Sequence, residues 1–419
     1  MYNSDTNKSN KSSGVPNDRK TEVIPERRLK ALIYLSPALM DWMVCFVSFA
    51  VFYAAGARGA GMRECGWLGI LYQAAYMVSS LVSGHMITRR NARGLLLAST
   101  FVCGASSVAA MCSKTFLPLA AGLLVFGISV AWFFNSFQAF MRGEGAVGSL
   151  KTSVALYTLS WCLGAALGTV TAGWLYQRGL SALIAAVLLV TAAMAVLLAR
   201  PVRQPAEGHP DDEPVEHGQR PEYPVSSAYI AVGWLMIFTV TFVQRPLFTF
   251  LPPLFASQGV SSLWASLPLF THMAVSALFG LTLFRFRDTL YRKTPFFIIQ
   301  CGAVAALCAM WLWPTYWMCF AMLCLLGLYA GYVYYCAVYY ASNSGRRTFN
   351  IGVNEALVGF GSVAGIALGD AWMRRSGSAT ELYLVCAAGL AVSLIAQMVL
   401  ACTHNQSGNG RFLRCSKRT

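Results

Sequence analysis

Apolar runs of about 20 residues, long enough as helix to cross roughly 30 Å of hydrocarbon, recur along the chain and leave it little choice of fold. Twelve can be delimited: 32–55, 67–87, 94–112, 117–140, 152–176, 179–199, 228–251, 263–284, 295–313, 316–341, 349–372 and 381–402. They are continuous and about twice the length of a barrel strand, so the expectation is an all-α polytopic membrane protein. Composition agrees: of 419 residues 56% are hydrophobic and 12% charged, about half the charged share of a soluble domain.

Lysine and arginine set the orientation. An even number of spans puts both termini on one side, and that side holds 25 of the 32 basic residues against 6 on the other, with Arg245 inside a span. The positive-inside rule therefore predicts a multi-pass protein of the cell (inner) membrane with both termini cytoplasmic. The net charge of +15 then reports topology. Its basic runs read as contacts with lipid headgroups and not as a nucleic-acid surface.

Two polar stretches frame the spans. Residues 1–30, rich in Asn, Ser and Lys, read as a disordered cytoplasmic tail. Residues 200–226, rich in Pro and charge, read as a linker between a bundle at 31–199 and a second at 227–403, with a short tail at 404–419. His209 and His217 in that linker lack Cys partners and regular spacing, and no C-x-x-C pair occurs among the thirteen cysteines. Neither a metal nor a cofactor is expected.

The two bundles carry a repeat. SGHMITRRNARG after the second span aligns with FGLTLFRFRDTL after the eighth, with Gly84 on Gly280 and Arg89 on Arg285, an offset of 196. GAALGTVTAGW in the fifth aligns with GSVAGIALGDAW in the eleventh, with Gly164 on Gly361 and Gly168 on Gly365, an offset of 197. Two separate matches that agree within one residue point to a duplicated unit. Gly164, Gly168 and Gly173, and in the other half Gly361, Gly365 and Gly369, read as seams where helices pack closely.

At these residues the chain resembles the major facilitator superfamily of secondary transporters, over all twelve spans. Gly84, Arg89 and Arg93 fit the family's signature between the second and third helices, with Thr88 at its acidic position and Asn91 at its second glycine. Gly164, Gly168 and Gly173 fit part of the fifth-helix antiporter pattern, with Thr169 for its proline and Ala172 for a glycine. The resemblance implies two parallel six-helix bundles, a gating loop at Gly84, Arg89 and Arg93 with its counterpart at Gly280 and Arg285, and a central cavity lined by the first, fourth, seventh and tenth helices.

Ionisable side chains within the spans are the candidates for function, because a charge at mid-bilayer costs roughly 2.5–3.5 kcal/mol on insertion scales. They are Asp41, Arg245, His272 and Glu355. For Asp41 and Glu355, proton coupling and assembly both remain open; His272 is a proton carrier or a hydrogen-bonded core residue; Arg245 holds an anionic substrate or pairs with an acid. Gln73, Tyr76, Asn135, Gln138, Tyr332, Tyr335 and Asn354 complete the candidate pocket. Asp370 and Arg374 are expected in solvent at the outer interface, and Tyr339 and Tyr340 in the interfacial aromatic belt.

No G-x-x-x-x-G-K-[ST] loop occurs, so energy is expected from an ion or solute gradient. The function expected is secondary transport of a small solute by alternating access, as proton-coupled uptake, with proton-antiport efflux of amphipathic compounds as the alternative. The protein is expected to act as a monomer and not as an enzyme, since no His, Asp or Ser constellation gathers at one interface. A receptor or structural role is the remaining reading.

Overall fold

The computed structural model describes residues 26–140, 150–199, 227–286, 290–342 and 347–407. Most of the N-terminal tail, the linker 200–226 and the last twelve residues lie outside the described residues. Among the described residues twelve α-helices form: α1 (Glu26–Ala57), α2 (Met62–Met86), α3 (Arg89–Cys112), α4 (Phe116–Phe140), α5 (Leu150–Tyr176), α6 (Leu180–Ala199), α7 (Ser227–Ser257), α8 (Ser262–Thr282), α9 (Lys293–Leu312), α10 (Tyr316–Ser342), α11 (Arg347–Ser376) and α12 (Glu381–Ser407). Each contains a stretch long and apolar enough to span a membrane. Large apolar side chains such as Leu117, Leu189 and Val392 stand exposed on the outside, where hydrocarbon would solvate them.

The pairing of helices repeats with a period of six. In the first half α1 packs on α5, α2 on α4, α3 on α4 and α3 on α6; in the second, α7 packs on α11, α8 on α10, α9 on α10 and α9 on α12. Because connected helices alternate in direction, a shift of six keeps each helix parallel to its counterpart. The halves are therefore related about an axis along the membrane normal. The bundles join through α2 on α11, the counterpart pair α5 on α8, and α1 on α7 at the axis.

Glycine sets the closest approaches. A methyl on Gly164 would come 2.1 Å from the Ala38 carbonyl oxygen and one on Gly168 2.1 Å from that of Trp42, so α5 lies directly on the α1 backbone. Gly361 and Gly365 do the same against the Phe238 and Phe242 carbonyls of α7, at 2.3 and 2.2 Å. The outer glycines face elsewhere: Gly369 meets Leu382 of α12, and Gly173 meets Ser262 and Ser266 of α8. At Gly173 the seam turns to packing between bundles, whereas at Gly369 it stays within its own bundle.

Helix α7 keeps its helical course through Pro246, Pro252 and Pro253. Pro246 has no N–H to give the Phe242 carbonyl four residues earlier, and that is the oxygen facing Gly365. A glycine Cα–H beside an undonated carbonyl is a recurrent weak contact between packed helices.

Candidate functional site

Three ionisable side chains from three helices meet at the centre. Asp41 lies about ten residues into the first span, about 15 Å from its start, and both Arg245 of α7 and Glu355 of α11 act on it electrostatically. Glu355 accepts a hydrogen bond at Oε2 from the Tyr76 hydroxyl of α2 at 2.7 Å, which ties the two bundles together. Arg245 makes no hydrogen bond or ion pair with any described residue, and its Nε is buried with no acceptor. Asp41, Arg245 and Glu355 are only partly buried although they sit deep along their helices.

Aromatic side chains gather around this centre. Tyr72 and Tyr334 lie within electrostatic range of Arg245, and Tyr157 of α5 lies within range of both Glu355 and Asp41. Trp161 packs edge-on against Tyr334 with ring centroids 4.5 Å apart.

Beside Arg245, Gln244 closes a hydrogen-bond circuit. The Tyr334 hydroxyl donates to Gln244 Oε1. Gln244 Nε2 lies 3.2 Å from His272 Nε2, and His272 Nδ1 lies 3.2 Å from the Leu323 carbonyl oxygen. A carbonyl only accepts, so Nδ1 carries the hydrogen and Nε2 accepts from the glutamine amide. Both ring nitrogens of His272 are engaged within the circuit, as the hydrogen-bonded core reading expects.

The Asn135 amide donates to the Ser80 carbonyl at 2.8 Å and to Ser83 Oγ at 2.6 Å, joining α4 to α2. Gln73 is buried on α2, and Asn354 is buried with no partner for its Oδ1. Tyr335 donates to the Lys151 carbonyl at 3.4 Å and stacks on Tyr339. Tyr332 is buried, and its phenol lies within electrostatic range of Tyr229 of α7. The helical spacing of Tyr332, Tyr335 and Tyr339 selects one face of α10, whereas the phenol that reaches the centre is Tyr334, off that face. The side chain of Gln138 lies outside the described residues.

Gly84 and the Arg89 side chain also lie outside the description. Where the family signature has an acid and a second glycine, Thr88 and Asn91 form a capping box for α3, with Thr88 N–H donating to Asn91 Oδ1 at 2.7 Å. Arg93 donates to the Ala199 carbonyl at 2.5 Å, inside its own bundle, at the C-terminal end of α6 where a cation is favoured. Arg285 lies over the Phe284 ring, and Gly280 faces Thr158 of α5.

Two expectations for the helix ends are corrected. Asp370 is buried rather than solvated: it lies against Gly66 of α2, whose missing side chain makes room for it, with one oxygen on Arg374 Nε at 3.1 Å. Tyr339 and Tyr340 are buried in a cluster with Tyr229 and Tyr291 and not in an interfacial belt, because their rings pack against α7 and the segment before α9 and the Tyr340 hydroxyl donates to the Leu290 carbonyl there.

The bundles touch closely at the end remote from the termini. Gly56 lies on Pro253, Gly69 on Thr249 and Gly66 on Asp370. Ser262 Oγ donates to the Gly173 carbonyl at 2.7 Å and the Tyr53 hydroxyl to the Val260 carbonyl at 2.8 Å. With the repeat offsets of 196 and 197, Gly66 on Asp370 and Ser262 on Gly173 are counterparts.

Two parallel six-helix bundles with charged side chains at their interface have the architecture of a membrane transporter. The family model of the Major Facilitator Superfamily matches residues 31–366, and the chain belongs to that family. Among solved structures it resembles the human organic anion transporter MFSD10 (TETRAN), at 16% identity over 89% of this chain and 99% of that one, with a TM-score of 0.64. It also resembles a bacterial homolog of the human lysosomal transporter Spinster in an inward-facing, unoccupied conformation, at 14% identity over 90% and 96% of the two chains, with a TM-score of 0.53. No curated protein gives a significant match. The chain is a membrane transporter of small molecules.

Proposed function

We propose that the protein is a proton-coupled transporter that takes up a small solute across the cell membrane, with both termini cytoplasmic. Asp41 and Glu355 carry the proton, and Arg245 supplies the fixed positive charge against which they titrate. One observation carries this reading: two carboxylates and a guanidinium from α1, α7 and α11 share one electrostatic centre at the bundle interface, with Glu355 held across that interface by Tyr76. A group bonded across the interface feels the rearrangement of the bundles directly, which is what coupling requires.

The test is accumulation of labelled solutes in proteoliposomes under a pH gradient, over a panel of carboxylates, sugars, amino acids, nucleosides and cationic dyes. Accumulation that depends on the gradient is expected. Undiminished accumulation after a protonophore collapses it would remove the coupling. The aromatic wall of Tyr72, Tyr157, Trp161 and Tyr334 favours a second reading, efflux of amphipathic compounds. In that case dye and proton would move in opposite directions.

A further inference from the structure

We propose that the solute is an organic monoanion whose carboxylate is held by the Arg245 guanidinium. The inference rests on the transporter reading and gives it a substrate class. A guanidinium offers five N–H donors in a planar fork, and one placed deep in a membrane protein is ordinarily paired. That of Arg245 has no partner among the described residues, its Nε is buried without an acceptor, and the residue as a whole is only partly buried.

The neighbouring polar groups do not bond it. Asp41 and Cys45 on α1 and Tyr72 on α2 act on it only through space. On α2, Tyr76 gives its hydrogen to Glu355 of α11; on α10, Tyr334 gives its own to Gln244; and on α8, His272 is used by Gln244 and Leu323. On α5, Tyr157 is in range of the acids. The acceptor that completes the fork therefore comes from outside the chain, and the tyrosine rings offer walls for an apolar body.

Charge selects the head group. With Asp41 and Glu355 ionised, two negative charges already face one positive, so a carboxylate with a single charge is accommodated more readily than a phosphate monoester carrying nearly two. For the same reason, binding is stronger when a proton neutralises Asp41 or Glu355.

The experiment measures inhibition of solute uptake by benzoate, benzamide, phenyl phosphate and benzyltrimethylammonium in proteoliposomes of the full chain. The solutes transported should carry a carboxylate, and benzoate should compete where benzamide and phenyl phosphate do not, more strongly at acidic than at alkaline pH. Arg245→Lys should weaken benzoate competition roughly tenfold or more, the scale of a lost charge-assisted hydrogen bond. Arg245→Gln should remove it. A thermal melt of each purified variant separates lost binding from lost folding, and benzoate protection against melting in the wild-type protein, absent in a folded Arg245→Gln, supports the assignment without transport. A transported solute with no acidic group overturns the inference and leaves the transport reading standing, as does undiminished benzoate competition in Arg245→Gln. Stronger competition by phenyl phosphate overturns the carboxylate. A panel in which nothing moves sinks the transport reading, and this inference with it.

Discussion

At the scale of the residue, Glu355 is the sharpest test, because its partner tolerates the conservative change. In Glu355→Gln the amide oxygen can still accept from Tyr76, so the variant should fold and insert normally. It should lose gradient-driven accumulation, while exchange at equal pH on the two sides is partly retained. An unchanged pH profile would instead assign the proton to Asp41 alone. Tyr76→Phe deletes a hydrogen bond to a carboxylate, worth about 1.5–3 kcal/mol, and should shift the pH dependence of uptake without abolishing it. Asp41, Arg245 and Glu355 were legible in the sequence because charge in an apolar run stands out against its surroundings. Gln244, Tyr157 and Tyr334 were not, since an amide or a phenol in a span costs too little to flag itself, and only packing shows which phenol on α10 points to the centre. Asp370 was misread because its shelter, the bare backbone of Gly66, comes from a helix about 300 residues earlier in the sequence.

At the scale of the element, the glycine seams make a graded prediction. Gly168→Val would drive side-chain atoms into the Trp42 carbonyl, a backbone group that cannot rotate away. The cost should exceed the usual 1–3 kcal/mol of overpacking and appear as poor insertion or a lowered melting temperature. Gly94→Ala in α3, where nothing lies within 4 Å, should be neutral or slightly stabilising, since alanine is the better helix former by about 1 kcal/mol. Equal damage from both would mean that the seam is not what packs α1 on α5. The glycine spacing showed in the sequence which turns pack closely, but not that Gly173 and Gly369 leave the seam for α8 and α12. Helix ends were the weaker part: α7 runs on to Ser257, beyond the expected end at 251, and α12 to Ser407, beyond the expected end at 402.

At the scale of the whole molecule, alternating access requires the contacts remote from the termini to part. A disulfide between cysteines at Gly66 and Asp370 should therefore arrest uptake, and reduction should restore it; uptake that continues under verified cross-linking would place the moving gate elsewhere. The basic asymmetry predicts that a reporter cysteine at residue 215 in the linker is shielded from an impermeant reagent in intact cells. Labelling from outside would reverse the orientation. The twelve spans and their halves could be read from the sequence because hydropathy and repetition are properties of the whole chain. The closure of one end could not, because Gly56, Gly66 and Gly173 show what they touch only after the halves are docked.

The grouping of one guanidinium with two acids also has an electrical consequence. With both carboxylates ionised the empty centre carries one net negative charge, and carrying that charge across the full membrane potential involves about 2.3 kcal/mol per 100 mV. Two protons and one bound monoanion bring the same centre to neutrality. The loaded step should then ignore voltage, and the return of the empty carrier should set the turnover. Its rate would be governed by the potential of the cell as much as by the supply of solute.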